Sequence, residues 1–219
     1  MSDGGGRRPG ATRWTGVAEP PGRAEPAGWA RGPGAGPALG AAALTAVVAL
    51  MLFLAVFGNL TDFGTNQQFV RHVLAMDTTF RDPDLMWRAV TSPRLQNAAY
   101  VGIIGWEAVA AAVLLRAVGL WCAVLRGGSL RQARAASTVG LVMVLLLFGA
   151  GFLAIGGEWF AMWQSEQWNG LDAATRNTLL AAAALVLVHL PPGSAHDGPG
   201  AAQHGPGAAA DGPGAAADR

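Results

Sequence analysis

The chain has 219 residues, 52% of them hydrophobic and only 13% charged, about half the charged share of an ordinary soluble domain. Its formal net charge is +1, and all its basic side chains apart from four histidines are arginine, since lysine is absent. This composition excludes a polar coat around one large globular core and any polycationic nucleic-acid binder, so no nucleic-acid partner is expected. The apolar residues instead fall in long blocks separated by segments that hold nearly all the charge, a distribution that suits lipid.

Residues 1–37 are rich in Gly, Pro, Ala and Arg and lack apolar periodicity. They cannot offset the entropy of ordering and are expected to form a disordered tail. The leader is too long for a signal-peptide n-region, and no A-x-A site follows the apolar block, so that block is expected to stay as an anchor. It occupies residues 38–58, with 38–57 entirely free of charge, and at ~1.5 Å per residue it reaches the ~30 Å of a bilayer core.

The segment 59–97 carries four arginines and Asp62, Asp77, Asp82 and Asp84. Thr65 or Asn66 can cap a short helix over 67–76, whose Phe69, Val70, Val73 and Met76 share one side and suit the membrane surface. Asp82-Pro83 opens a second helical piece with Met86 and Trp87, and Ser92-Pro93 suits the start of the next long helix. That helix spans about 98–125 and contains Glu107 and Arg116. An ionised carboxylate at such depth costs ~3 kcal/mol on insertion scales. Nine residues at 100° each put Arg116 on the opposite face, so a partner for Glu107 must come from another span or a loop.

A third clean span covers 135–155, and the weakest covers 173–190, ending at Pro191-Pro192. Between them Glu158, Trp159, Trp163, Gln164, Trp168 and Asn169 mix polar and aromatic groups. Helical spacing puts Trp159 and Trp163 one turn apart, an interfacial aromatic belt. With Asn59, Asp62 and Asn66 these six form a candidate ligand or loop-packing site, and Glu107 forms a candidate intramembrane polar site. Small residues, among them Gly102, Gly105, Gly149 and Gly151, would permit close helix packing. Residues 191–219 hold three copies of a seven-residue repeat, DGPGAAQ-HGPGAAA-DGPGAAA, from Asp197. Gly-Pro-Gly in each unit forbids a helix, and a disordered tail is expected.

The fold class is therefore an all-α membrane protein: a four-transmembrane-helix, up-down-up-down bundle over 38–190 with helical extracytoplasmic loops and disordered tails. Arg7, Arg8, Arg13, Arg23 and Arg31 before the first span, and Arg126, Arg131 and Arg134 in the link between spans two and three, place both termini in the cytoplasm. His72 and Met76 are too few for a metal site. The lone Cys122 excludes an intrachain disulfide and thiol redox chemistry. No Walker loop, H-E-x-x-H or G-x-S-x-G pattern occurs, and no cofactor is indicated.

The runs FGNLTDFGTNQQFVRHVLAMDTTF over 57–80, Trp87-Arg88-Ala89, and IGGEWFAMWQSEQWNG over 155–170 resemble DUF2165, a bacterial family of small predicted integral membrane proteins. The resemblance covers about 44–190. It implies a four-span protein of a bacterial inner or plasma membrane and brings no catalytic residue, cofactor or substrate. Three functions fit: a non-enzymatic membrane component or subunit, as a homo-oligomer or with a membrane-protein partner, which is favoured; a small transporter or proton-coupled carrier using Glu107; and a quinone- or lipid-binding membrane enzyme using the 156–170 loop.

Overall fold

The structure, a computed structural model, describes residues 35–191. The tails expected to be disordered, with His196 and His204, lie outside the described residues apart from the few that border the bundle. The described residues are helical and contain no strand. In chain order they form α1 (Ala35–Thr61), α2 (Phe63–Ala75), a 3-10 turn (Met86–Arg88), α3 (Pro93–Val124), α4 (Leu130–Leu145), a π-helical continuation of α4 (Leu146–Trp159), a second 3-10 turn (Met162–Gln164) and α5 (Leu171–His189).

Four of these helical runs are long and apolar enough to cross a membrane: 36–61, Pro93–Val124, Leu130–Trp159 and Leu171–His189. Between 22% and 33% of each apolar window is buried against protein, so most of each span needs hydrocarbon as its neighbour. The helices run past the bounds that hydropathy suggests. Pro93 can occupy the first turn of α3 because its missing N–H would have no helical partner there. Ser129 caps α4 by accepting from the Gln132 amide. Polar and charged residues at these ends thus belong to helices whose middles alone are apolar.

The four spans close a ring in which α1 packs on α3 and α5, and α4 packs on the same two. Contacts fix the relative directions. Near one end, Thr45 of α1, Trp121 of α3 and Ser137 of α4 meet, with Trp121 Nε1 donating to Ser137 Oγ at 2.9 Å. At that end Arg134, early in α4, donates to the Leu190 carbonyl just past α5 at 3.0 Å. Neighbouring helices around the ring are therefore antiparallel. Because Arg126, Arg131 and Arg134 gather there, it is called the arginine-rich end below; the other end carries α2 and the loops and is called the cap end.

The core is small-residue packing. α5 contributes Ala174, Ala181, Ala184 and Val188, at near-heptad spacing, and α4 contributes Ala133, Ala136, Ser137, Gly140, Leu141 and Val144. Close approach occurs at Gly140, where a β-carbon would lie 2.6 Å from Leu114 Cγ and Cδ2, and at Gly40, where it would lie 3.2 Å from Leu187 Cδ1. The glycines expected to do this do not: nothing lies within 4 Å of such an atom at Gly102 or Gly105, and at Gly149 and Gly151 the nearest atom is 3.8 Å away. The sequence shows that a residue is small, whereas the facing helix decides whether smallness is needed.

Both Gly140→Ala and Gly102→Ala gain the same helix propensity, ~1 kcal/mol, but only the first drives a methyl into buried Leu114. Reversible unfolding in mixed micelles should therefore find Gly140→Ala about 1–3 kcal/mol less stable than Gly102→Ala.

Candidate functional site

The buried residues of α3 are Gln96, Tyr100, Ile104, Glu107, Ala110, Ala111, Leu114, Ala117, Trp121 and Val124, a stripe at three- and four-residue steps. Glu107 sits in that stripe with 5% of its surface exposed. Arg116, half a turn round, is exposed. The carboxylate finds its partner on the neighbouring span: Asn59, near the end of α1, donates from Nδ2 to Glu107 Oε2 at 2.7 Å. The amide oxygen of Asn59 in turn accepts from Asn66 Nδ2 of α2 at 2.7 Å and from the Tyr100 hydroxyl at 3.4 Å. One side-chain amide thus joins α1, α2 and α3.

Glu107 Oε1 takes no protein hydrogen bond among the described residues, and the carboxylate lines a cavity of about 370 Å³. Asn59, Asn66, Tyr100 and Asn177 supply the other polar groups of its wall, and Phe69, Phe148 and Phe152 supply an aromatic side. An apolar pocket of about 160 Å³ adjoins it, sharing Phe69, Val70, Ile103 and Phe152 and reaching Ile155 and Met162. The Phe69 and Phe152 rings, 6.4 Å apart and nearly parallel, stand where the two meet. Gly151 and Gly156 of the π-helical segment line the smaller, apolar pocket.

The residues singled out in the sequence divide into two groups. Asn59, Asn66 and Glu107 come together. The others serve the cap. Asp62 accepts from the Thr65 hydroxyl at 2.7 Å, and α2 begins earlier than expected, directly after it, with Asp62 making no side-chain cap bond. Trp159 packs edge-on against Trp87 and lies 4.8 Å from the Arg88 guanidinium carbon, a cation–π contact. Glu158 is exposed beside them in a separate open hollow. Gln164 Oε1 accepts from the Phe80 amide at 3.0 Å, Trp163 meets the Phe80 ring edge-on, and Asn169 Oδ1 accepts from the Leu171 amide at the start of α5.

Trp159 and Trp163 are not stacked one turn apart. The helix stops at Trp159, and Ala161 takes a left-handed backbone, φ 50°, which turns the two rings to different partners. Trp168 instead stacks on His72 at 4.6 Å, and His72 Nδ1 pairs with Asp77 at 2.9 Å. Met76 is buried in a cluster with Phe160 and Ala161, and no group of three or more His, Cys, Asp or Glu side chains gathers among the described residues.

Tyr100, Asn177 and the three phenylalanines were not marked by the sequence as parts of a site. Tyr100 alone left a signal, as the chain's single tyrosine, seven residues before Glu107 on the same helical face. Chemically, the cavity holds one carboxylate with one oxygen anchored and the other free, amides and a phenol around it, and aromatic rings opposite. There is no nucleophile paired with a base.

A family profile described as a predicted small integral membrane protein, DUF2165, matches residues 38–191. The chain belongs to the DUF2165 family. It is an integral membrane protein, and the DUF2165 match takes in nearly all of the four membrane-length helices, the cap and the whole Asn66–Asn59–Glu107 chain. Neither the curated proteins nor the solved structures yield a match.

Asn59→Leu would leave the buried Glu107 without its donor and should destabilise the protein by about 1–3 kcal/mol in detergent unfolding, whereas Asn59→Leu with Glu107→Leu should recover only the part due to the carboxylate, because Asn66 Nδ2 and the Tyr100 hydroxyl lose their acceptor in both variants.

Proposed function

We propose that this protein is a non-enzymatic component of a bacterial cell membrane that holds a small amphiphilic molecule in the cavity beside Glu107. The observation that carries this reading is the free Oε1 of a carboxylate whose other oxygen is fixed at 2.7 Å by Asn59, facing a cavity of about 370 Å³ with an aromatic wall. Ligand sites combine an apolar lining with a few convergent polar groups, and an intramembrane carboxylate is a default functional candidate. A head that donates a hydrogen bond, a hydroxyl or an amine, would satisfy Oε1, while an apolar body would lie against Phe69, Phe148 and Phe152.

The surroundings of Glu107 favour holding a ligand over relaying protons. Toward the arginine-rich end its helix continues with Ala110, Ala111 and Leu114, and the facing face of α1 buries Val48 and Leu52, none of which can pass a proton. The Glu158 loop is a weaker candidate for binding, because that carboxylate is exposed and lines a different hollow. The arginine distribution supports an orientation with both termini in the cytoplasm and the cap outside.

Native mass spectrometry of gently extracted protein should find a bound amphiphile, with Glu107→Gln lowering its occupancy about tenfold, the worth of one hydrogen bond. Equal occupancy in wild type and variant, or an empty wild-type protein, would sink the proposal. For orientation, protease added outside intact cells should cut between residues 77 and 92 and spare the link at 126–129; the reverse pattern would invert the orientation.

A further inference from the structure

The carboxylates of the described residues are sorted by end, although arginines occur at both. Every one except Glu107, namely Asp62, Asp77, Asp82, Asp84, Glu158, Glu166 and Asp172, belongs to the cap-end loops or to the helix turns that border them. The arginine-rich end carries Arg126, Arg131, Arg134 and His189 and no carboxylate among the described residues. The three arginines there repel one another, with no carboxylate among the described residues of that end to offset them.

Two helices focus that charge at one place. Arg134 Nη2 donates to the Leu190 carbonyl at 3.0 Å, one of the acceptors left over where α5 ends, and Pro191 follows with no N–H to offer. The bond fixes the guanidinium at the C-terminal end of a helix dipole, where a cation is favoured. Its Nε is buried with no hydrogen-bond partner. Beside it, the Thr138 hydroxyl lies 2.8 Å from the Arg134 carbonyl, to which it donates, and 3.0 Å from His189 Nε2. A hydroxyl has one proton, so with that proton on the carbonyl the imidazole must be the donor in the second contact. Arg131 stands one turn before Ala135 on the same face, exposed. Together with Leu130 and Ala135 these groups line an open hollow of about 530 Å³ between the start of α4 and the end of α5.

We infer that this hollow is a binding site for a phosphate group carrying net negative charge, and that the headgroup of an anionic lipid is its natural source. Guanidinium groups suit phosphate because they form charge-assisted, geometrically fixed hydrogen bonds. Basic pockets between spanning helices at the membrane surface bind anionic headgroups for this reason. The surface below the hollow fits the rest of a lipid: one turn deeper, Val142 on α4 and Val186 on α5 are exposed and apolar, which is where the first acyl carbons would run. The site is remote from the Glu107 cavity and shares no lining residue with it.

The test uses the full chain in nanodiscs and native mass spectrometry, with phosphatidylglycerol, phosphatidylcholine and diacylglycerol as lipid probes and inorganic phosphate as the soluble one. Phosphatidylglycerol should be retained in preference to both other lipids, and each lost arginine should cut that preference about fivefold. Arg131→Gln removes no protein hydrogen bond and so leaves the fold intact, while Arg134→Lys keeps charge but loses the fixed fork. Arg94→Gln, at the cap end, should change nothing. Saturable binding of inorganic phosphate without lipid preference, lost in Arg131→Gln, would keep the phosphate site and assign it a soluble source. Equal retention of phosphatidylglycerol and phosphatidylcholine with no phosphate binding, or a preference that survives both Arg131→Gln and Arg134→Lys, would overturn it.

Discussion

The hydrogen bond from Asn59 to Glu107 is the constraint around which the cap end is organised. In hydrocarbon no water is at hand to satisfy a polar group, so each one must be met inside the protein or beside a wet cavity. Glu107 is buried in the inward stripe of α3, and its nearest charge of opposite sign on that helix points away from it. A neutral donor from α1 therefore has to reach it, which sets how far α1 extends and where it lies against α3. The buried Asn59 has its oxygen satisfied as well, by Asn66 and Tyr100. The start of α2 is drawn down onto the bundle as a result. At the other end Trp121, Ser137 and Thr45 play a comparable part with neutral groups, and between the two polar levels the helices meet mainly through Ala, Val and Leu, with Met51 and Met143 packed against them.

Much of this architecture is legible in the sequence because the signal is one of length. A charge-free run long enough to span a bilayer has few other stable uses, and the first and third runs needed no knowledge of their neighbours to be read, while the second, with Glu107 and Arg116, and the fourth, with Arg176, carried a weaker form of the same signal. The ends of the helices were less evenly legible. Ser92-Pro93 marked the start of α3, where the helix does begin, but hydropathy stopped short of residues 130–134, which carry two arginines and are helical because Ser129 caps α4 before its apolar run. The one-turn spacing of Trp159 and Trp163 fails for a related reason. Regular spacing assumes a continuing helix, and the left-handed Ala161 breaks it, a backbone choice that an alanine does not advertise.

The polar site was half legible. That Glu107 needs a partner, and that Arg116 cannot be it, follows from helical geometry alone. That the partner is Asn59, 48 residues earlier, depends on how two spans are set against each other, and no local pattern carries that. The phenylalanines opposite were hidden for another reason, since in a run as apolar as 135–155 a phenylalanine lining a cavity reads the same as one facing lipid. What separates them is the face they occupy, which only the packing of the neighbouring helices decides. Phe148 and Phe152, four residues apart, share the face that lines the cavity.

The cavity's chemistry is consequently divided by helix. Its hydrogen-bonding groups come from α1, α2, α3 and α5, whereas α4's continuation contributes only Phe148 and Phe152. A molecule that was polar throughout would leave donors and acceptors unmatched against those rings, and one wholly apolar would strand Glu107 Oε1 and the amides, each an unfavourable burial. Only a two-faced molecule satisfies both walls at once, with its head toward Asn59 and Glu107 and its body toward Phe152 and the apolar pocket beyond. The same division fixes the orientation of such a molecule, because reversing it would place the carboxylate against hydrocarbon and the head against three aromatic rings.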